Sequence, residues 1–343
     1  MTLRGAGGRL ALALPIGALV ALGLLAAALA VICVASLATG SYPLRLAEVA
    51  AALAGAAPDE AATTVVREFR LPRVLVGLVA GALLGVSGAV LQIVTRNPLT
   101  DPSLVGVSQG ASLAVVTLIV AMPGADAALR PVAAFAAGLA VAAVIQSIAA
   151  RRTEGATMRF ILTGIGVAAF IAALTTALLT YGAMQDALAA IGWLSGSLHA
   201  VGWGEAKALT LSALALAPVA AWAARPLAAL RLGPEVAIGL GVRVRPARVA
   251  LITLSTACAA AAVAAVGPIG FVGLVAPHLA RLIARAGVGL HLALAAATGV
   301  LLVSSADLAG RAAFAPVQIP AGIVTAALGA PIFALLILRP RRR

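Results

Sequence analysis

Charged and aromatic side chains are scarce in this sequence. Only 10% of its residues are Asp, Glu, Lys or Arg and 3% are aromatic, whereas 63% are hydrophobic. A soluble globule of 343 residues needs far more polar surface than this to cover its exterior. The sequence therefore predicts an integral membrane protein.

Lysine is nearly absent, which excludes one kind of nucleotide site. The only lysine is Lys207, and Ala208 follows it. A P-loop requires Gly-Lys followed by Ser or Thr to hold phosphate and magnesium. Any ATP hydrolysis of the P-loop type must therefore take place on a separate subunit.

Cysteine and histidine are too few and too dispersed to predict a metal or redox centre. Cys33 and Cys258 both lie in apolar runs, which favours packing over a disulfide or metal ligation. The three histidines show no metal-ligand spacing: His199, His278 and His291. We expect no bound metal and no cofactor.

Acidic residues are also scarce, with 11 in the chain, which argues against two other function classes. Asp101, Asp186 and Asp307 lie at the edges of apolar runs, whereas a proton-coupled secondary transporter needs titratable groups in mid-span. An intramembrane enzyme needs a nucleophile close to a base, and no such cluster is visible. The chain is predicted not to be an enzyme, and a secondary transporter is the weaker alternative.

Long apolar runs, by contrast, fill the chain. Ten of them approach the length of about 20 residues that crosses a bilayer core. They are numbered here as spans 1 to 10: 10–37, 70–94, 103–122, 130–150, 159–181, 206–224, 246–266, 270–284, 290–309 and 319–338. The predicted fold class is an all-α integral membrane protein of about ten transmembrane helices. Residues 1–343 form a single transmembrane domain, because no connection could hold a soluble one.

The distribution of basic residues predicts the orientation. Arg4 and Arg9 precede span 1 as in a signal peptide, but that run is much longer than a signal h-region of about 7 to 15 residues. With a cytoplasmic N-terminus, most of the 24 basic residues fall inside. We expect the chain in the inner (cytoplasmic) membrane, with both termini in the cytoplasm. The net charge of +13 then reflects this bias and anionic lipid, with no need for nucleic acid.

Interrupted apolar segments recur in the two halves of the chain. Gly and Pro break the sequence at 96–110 and again at 267–281. Such paired breaks predict an internal repeat of spans 2–5 and 7–10, which would be inverted because one unit begins outside and the other inside. The alternative is that Gly and Pro are simply common in membrane helices.

The segment 225–249 is amphipathic and does not span. Gly233 and Gly241 divide it, which predicts two short helices at the cytoplasmic surface that a partner could grip. The alternative is an ordinary basic loop that touches water and lipid.

Eight short strings occur in a fixed order over residues 70 to 333. They are RLPR, SGAVLQ, RNPLTDPSLVGVSQGA, WLSGSL, LGPEVAIGLGV, GFVGLVAPHLAR, ADLAGR and PAGIVTAALGAPIF. Together they resemble the FecCD-type permease subunits of ABC importers for iron chelates, haem and vitamin B12. The resemblance implies a ten-helix subunit that pairs with a second copy or a similar permease. It further implies two cytoplasmic ATPase subunits, an extracytoplasmic substrate-binding protein and a ferric siderophore as substrate, with haem or cobalamin as alternatives.

Three arginines are the predicted docking site for the binding protein. Arg70 and Arg73 lie on one side of a helix mouth, where their guanidinium groups could receive carboxylates. The resemblance adds Arg311. The alternatives are snorkelling to lipid headgroups, or neutralisation by Glu68 and Asp307. His199 is expected near the same entrance, where its alternative roles include a transient contact with haem or an iron chelate.

The resemblance also implies two cytoplasmic sites. The gate maps onto Asn97, Leu99, Thr157 and Met158, and ATPase coupling maps onto Gly233, Glu235, Ala237, Leu240 and Gly241. The chain departs from the family pattern at Met158, which replaces a small polar residue, at Pro234, and at Gln318, where relatives often carry Glu. Asn97-Pro98 could equally be a simple helix-ending turn.

Overall fold

The computed structural model describes residues 2–4, 11–13, 15–56, 59–149, 156–313 and 317–338. Two short strands, β1 (Thr2–Arg4) and β2 (Ala11–Ala13), pair antiparallel near the start of the chain. The rest of the regular structure is helical. The helices are α1 (Ile16–Ala38), α2 (Leu46–Ala54), α3 (Glu60–Thr64), α4 (Leu71–Thr95), α5 (Val107–Val116), α6 (Leu129–Ala149), α7 (Ala156–Tyr181), α8 (Met184–Leu194), α9 (Trp203–Leu232), α10 (Pro234–Gly239), α11 (Val244–Val266), α12 (Val272–Ile283), α13 (Val288–Ala312) and α14 (Ala321–Leu338).

The ten predicted spans are confirmed as ten apolar helices. Seven helices of the described residues are long and apolar enough to cross a membrane. Three shorter apolar helices accompany them, at Val107–Ala121, Val272–Ile283 and Ala321–Ala334. A π-helical turn, Val65–Arg70, joins α3 to α4 without a break, so span 2 starts earlier than predicted. Arg9 and the C-terminal arginines lie outside the described residues.

Helix α4 lies at the centre of the bundle and packs against α9, α11, α12 and α13. Glycines let its backbone approach its neighbours. A Cβ on Gly88 would lie 1.8 Å from the carbonyl oxygen of Gly273, and one on Gly85 would lie 2.1 Å from that of Ala295. Any side chain at these two positions would overlap the neighbouring backbone, so only glycine fits. The helices therefore pack backbone to backbone, as is common in membrane proteins.

The helix contacts support the predicted repeat. Helix α4 packs on α12 and α13, and its counterpart α11 packs on α5 and α6. Within the units, α5 contacts α6 as α12 contacts α13. Each short helix also follows a left-handed residue, Gly106 at φ 78° before α5 and Phe271 at φ 67° before α12. The two units start five spans apart, so the repeat is inverted if every span crosses.

Small helices cover one end of the bundle between α1 and α4. Asp59 caps α3 by accepting a hydrogen bond from the Ala61 amide at 3.0 Å. Its other carboxylate oxygen accepts one from the Tyr42 hydroxyl at 2.8 Å. That hydroxyl, followed by the Ala61 amide, lowers the pKa of Asp59. The hydrogen bond from Tyr42 therefore ties the start of α3 to the connection between α1 and α2.

Candidate functional sites at the two ends of the bundle

The three predicted docking arginines meet at one end of the bundle. Arg70 ends the π-helical turn, Arg73 lies in the first turn of α4, and Arg311 lies in the last turn of α13. The end of α1 completes the group, which we call the outer cluster. The structure therefore brings the three predicted residues together, although they come from distant parts of the chain.

Arg70 and Arg311 are used inside the chain. Both are only 5% exposed. The Arg70 guanidinium donates to the carbonyl oxygens of Leu37 at 2.6 Å and Ala38 at 3.0 Å, and also to that of Tyr42. Arg311 donates to the Thr39 carbonyl at 3.2 Å and to the Ser36 hydroxyl. The carbonyl groups of Leu37 and Ala38 are among those that the end of α1 leaves without helical partners, and Arg70 supplies donors for them.

Arg73 is the member of the outer cluster paired most fully with a carboxylate. Its Nη2 lies 2.8 Å from Asp307 Oδ1, and its Nε contacts both carboxylate oxygens at 3.1 and 3.2 Å. Arg311 Nε lies 3.2 Å from Asp307 Oδ2. Asp307 is the one carboxylate that forms ion pairs with these arginines in the part of the chain that the structure describes. Three guanidinium groups and one carboxylate thus leave the group with a net charge of +2.

Two residues that sequence reasoning did not assign to the cluster extend it outward. Arg73 Nη1 donates to Gln318 Oε1 at 3.0 Å, and His199 Nδ1 lies 2.9 Å from the same oxygen. Arginine can only donate, so the Gln318 atom facing it must be oxygen. The His199 Nδ1 must therefore carry the hydrogen that points to it. The exposed imidazole continues a chain of hydrogen bonds from Asp307 to the surface.

The predicted gate residues lie at the opposite end. Arg96 closes α4 in a left-handed conformation at φ 53°, and Asn97 Oδ1 accepts a hydrogen bond from the Leu99 amide at 3.0 Å. Leu99 is 37% and Met158 63% exposed. Thr157 lies in α7, but its side chain is outside the described residues. Asn97 thus does form the helix-ending turn. A 3-10 helix, Pro102–Val105, follows this turn and contacts α7, so the turn and the start of α7 lie at the same end of the bundle.

The predicted coupling loop is shorter than 225–249. Helix α9 continues to Leu232 although Pro218 and Pro226 lie inside it, and α11 starts at Val244. The connection, residues 233–243, is named here the coupling segment. It holds one short helix, α10, where two were predicted, because the chain from Leu240 to Arg243 is too short for a second.

The coupling segment presents an exposed apolar ridge. Gly233 at φ 119° and Gly241 at φ 80° flank it, and Pro234 starts α10 in the first turn, where proline is tolerated. Ala237 is fully buried and anchors the helix, whereas Leu240 is 63% exposed and Glu235 is also exposed. The proline therefore does not prevent the short helix from forming.

The side chain of Arg96 reaches from residues 96–99, named here the gate turn, towards the coupling segment. The position that a Cβ would take on Gly233 lies 3.8 Å from Arg96 Nη2. Neighbouring hydrogen bonds stiffen this end: Arg281 Nη2 donates to Gln92 Oε1 at 2.8 Å, and Gln92 donates to the Leu274 carbonyl at 3.1 Å.

Burial raises the pKa of the Asp101 carboxyl, against the effect of hydrogen bonds from Ser103.

No metal site emerges in the described ranges, where no group of three or more His, Cys, Asp or Glu could hold an ion. Cys258 is buried and Cys33 half-buried, as packing residues would be. The geometry therefore consists of a cationic cluster at one end and a turn beside an exposed helix at the other, joined by α4.

A comparison with protein families identifies this arrangement. The profile of the FecCD transport family matches residues 28–339. The chain belongs to the FecCD transport family. The match includes the outer cluster, the gate turn and the coupling segment.

Individual FecCD relatives are similar over nearly their whole length. The achromobactin transport system permease protein CbrC of Dickeya dadantii is 38% identical over 90% of this chain and 88% of its own. The ferric enterobactin transport system permease protein FepG of Escherichia coli is 37% identical over 89% of this chain and 91% of its own.

A solved structure agrees with the FecCD assignment. A metal-chelate type ABC transporter in an inward-facing conformation superposes with a TM-score of 0.82 and is 28% identical. The match covers 92% of this chain and 98% of the other. The protein is thus a multi-pass membrane permease of the ABC transporter class.

Proposed function

We propose that this chain is the permease subunit of an ATP-driven importer that moves a ferric siderophore across the cytoplasmic membrane. The observation that carries the proposal is the full-length likeness to permeases named for achromobactin and ferric enterobactin. The solved metal-chelate transporter supports the same substrate class. A large chelate requires a wide and weakly binding path, which agrees with a chain that has few polar residues in its spans.

The energy comes from partner subunits. With Lys207 as its only lysine, the chain has no P-loop of its own. Two cytoplasmic ATPase subunits would bind the coupling segment, where Gly233, Glu235, Ala237, Leu240 and Gly241 lie. The exposed Leu240 and Glu235 supply an apolar and an acidic contact for that interface. A second permease, identical or similar, would complete the translocation path.

The outer cluster is the proposed receptor for an extracytoplasmic binding protein. Its excess positive charge would attract acidic residues of that partner. The burial of Arg70 and Arg311 leaves Arg73 as the member best placed for a direct contact, with His199 beside it. Arg70 and Arg311 then contribute through the field and by holding α1 in place.

The gate turn is proposed to control the cytoplasmic exit. Asn97 and Leu99 would close the path together with Thr157 and Met158 from α7. The exposed side chain of Met158 makes this constriction apolar, so dewetting would contribute to closure. The orientation that makes this end cytoplasmic would also leave both chain termini in the cytoplasm.

Uptake of radiolabelled iron tests the proposal. Cells that lack the chain are complemented with the wild type, Arg73→Glu or the control Lys207→Glu, which changes an exposed cation on the same side of the proposed topology. A panel of ferric siderophores is offered, with haem and cobalamin in parallel. We expect one chelate to depend on the chain and on Arg73 but not on Lys207.

The other outcomes are equally specific. Loss of haem or cobalamin uptake alone would assign one of those substrates instead. Unchanged uptake of every compound in the deletion strain would contradict the proposed substrate class. Uptake that persists without the ATPase subunits would contradict ATP-driven import.

A further inference from the structure

A groove of about 850 Å³ opens between the ends of α9 and α11, beside the coupling segment. Its walls are almost entirely apolar, with Leu232, Leu240 and Val242 among them. Two arginines, Arg225 and Arg243, line the same groove. An apolar channel with cations beside it matches the two parts of a lipid, an acyl chain and an anionic headgroup.

We propose that this groove binds one anionic phospholipid, with its phosphate held by Arg225 and Arg243 and an acyl chain lying in the channel. The proposal goes beyond import of a chelate and would hold for any substrate. It depends only on the orientation given above, which places this end of the bundle at the cytoplasmic leaflet, where anionic lipids are concentrated.

The surface of α9 leads from the hydrocarbon region into the groove. Leu211, Leu214, Val219 and Trp222 are all between 44% and 66% exposed. Their spacing places them on one side of the helix, and Trp222 also lines the groove. Tryptophan is enriched at the level of the headgroups, so this strip is suited to an acyl chain that ends at an interfacial site.

The two arginines are available for a phosphate. Both are exposed, and neither forms an ion pair or side-chain hydrogen bond within the described part of the chain. Arg225 lies one turn beyond Trp222 towards the cytoplasmic end. The guanidinium group is well suited to phosphate oxygens, which it can hold with two parallel hydrogen bonds.

The position of the groove connects the lipid to the transport machinery. Leu232 ends α9 immediately before the coupling segment, and Leu240 and Val242 lie within it. A bound lipid would therefore contact the coupling segment and hold it against α9 and α11. Occupancy of the groove would thus favour one position of the segment.

Native mass spectrometry of the full-length permease tests the proposal. The protein is presented with equal amounts of phosphatidylglycerol and phosphatidylcholine, and the lipid retained is identified. We expect phosphatidylglycerol to be retained. The double variant Arg225→Gln/Arg243→Gln should bind it roughly 30-fold more weakly, since each arginine near an anionic lipid contributes about fivefold.

Three further arms make the result specific. Arg285→Gln, which removes an exposed cation outside the groove, should retain the lipid as the wild type does. Ala228→Trp fills the channel without changing charge and should displace the lipid. Glycerol phosphate as a competitor distinguishes a headgroup site from a lipid site, because without an acyl chain it should not displace the lipid at matched concentration.

The proposal is overturned by any of three results in protein that inserts and elutes normally. These are equal retention of the two lipids, unchanged retention in the double glutamine variant, and unchanged retention in Ala228→Trp. If the glutamine variant instead loses the ATPase subunits while keeping the lipid, the groove is part of the ATPase interface. None of these results bears on which chelate is imported.

Discussion

At the scale of single residues, the outer cluster shows that equal charge does not mean equal role. Arg70 and Arg311 direct their guanidinium groups at carbonyl oxygens that end α1. Arg73 instead shares Asp307 with Arg311 and reaches Gln318. Arginines that satisfy buried carbonyls contribute mainly to folding, because their removal leaves acceptors without donors. Substitution of Arg70 or Arg311 should therefore mainly lower stability, whereas substitution of Arg73 should mainly weaken docking.

Arg70→Ala should destabilise the protein more than Arg73→Ala. Loss of Arg70 leaves the carbonyls of Leu37, Ala38 and Tyr42 without this donor, at a cost of roughly 3 kcal/mol. Arg73→Ala leaves Asp307 paired with Arg311, so a smaller loss is expected. Thermal unfolding in detergent measures both, with Lys207→Ala as the exposed control. Equal melting temperatures for Arg70→Ala and the control would contradict the structural role.

Gln318→Glu should weaken docking without destabilising the cluster. The new carboxylate would lie about where the amide oxygen accepts from Arg73 and His199, and it would remove one unit of excess positive charge. We expect the affinity for the binding protein of the same system to fall roughly fivefold to tenfold, with a weaker dependence on salt. Isothermal titration in nanodiscs at two ionic strengths measures this effect. An unchanged affinity would show that the charge of the cluster does not attract the partner.

At the scale of elements, the apolar runs were predictable and the short helices were not. Span 7 was predicted at 246–266 and forms Val244–Val266, because a long apolar run has one solution in a bilayer. Helix α8 and the pair α2 and α3 were missed, because they lack long runs and their helical state depends on packing. The end of span 6 was placed too early, since Arg225 and Pro226 were read as a stop although α9 continues.

The candidate sites divide in the same way. Arg70 and Arg73 were predicted from their spacing at a helix mouth, and Arg311 from resemblance to a family. The structure brings the three together. Gln318 lies 245 positions from Arg73 and 119 positions from His199, and no local sequence pattern indicates such hydrogen bonds. The approach of the Arg96 side chain to Gly233 was missed for the same reason.

The gate turn and the coupling segment give a prediction at this scale. Arg96→Asn keeps a residue that tolerates the left-handed backbone but removes the guanidinium group near Gly233. We expect uptake to fall at least tenfold while the ATPase subunits still bind and hydrolyse ATP. Uptake per ATP hydrolysed in proteoliposomes is the measurement, and Arg96→Lys, which keeps a long cation, is the matched control. A parallel fall in hydrolysis would indicate an assembly defect instead.

At the scale of the whole molecule, the proposed orientation determines which proposed partner would meet which end. In a background without Cys33 and Cys258, Leu240→Cys should react with a membrane-impermeant maleimide only after the cytoplasmic side is opened. His199→Cys should react in intact spheroplasts, because the α8–α9 connection lies on the opposite side. Both positions are exposed, so poor reactivity would not come from burial. The reverse pattern would invert the proposed topology and exchange the roles of the two ends.

Helix α4 has one more consequence. Its 25 residues form a rod of about 38 Å, with Arg73 in its first turn and Arg96 directly after its last residue. Glycine contacts at Gly85 and Gly88 press this rod against α12 and α13 without side chains between the backbones. Because α4 is one continuous and stiff helix, a movement at its Arg73 end is transmitted to its Arg96 end. Reciprocity then requires that, whatever factor outer docking applies to ATPase affinity, the ATPase subunits apply the same factor to outer docking.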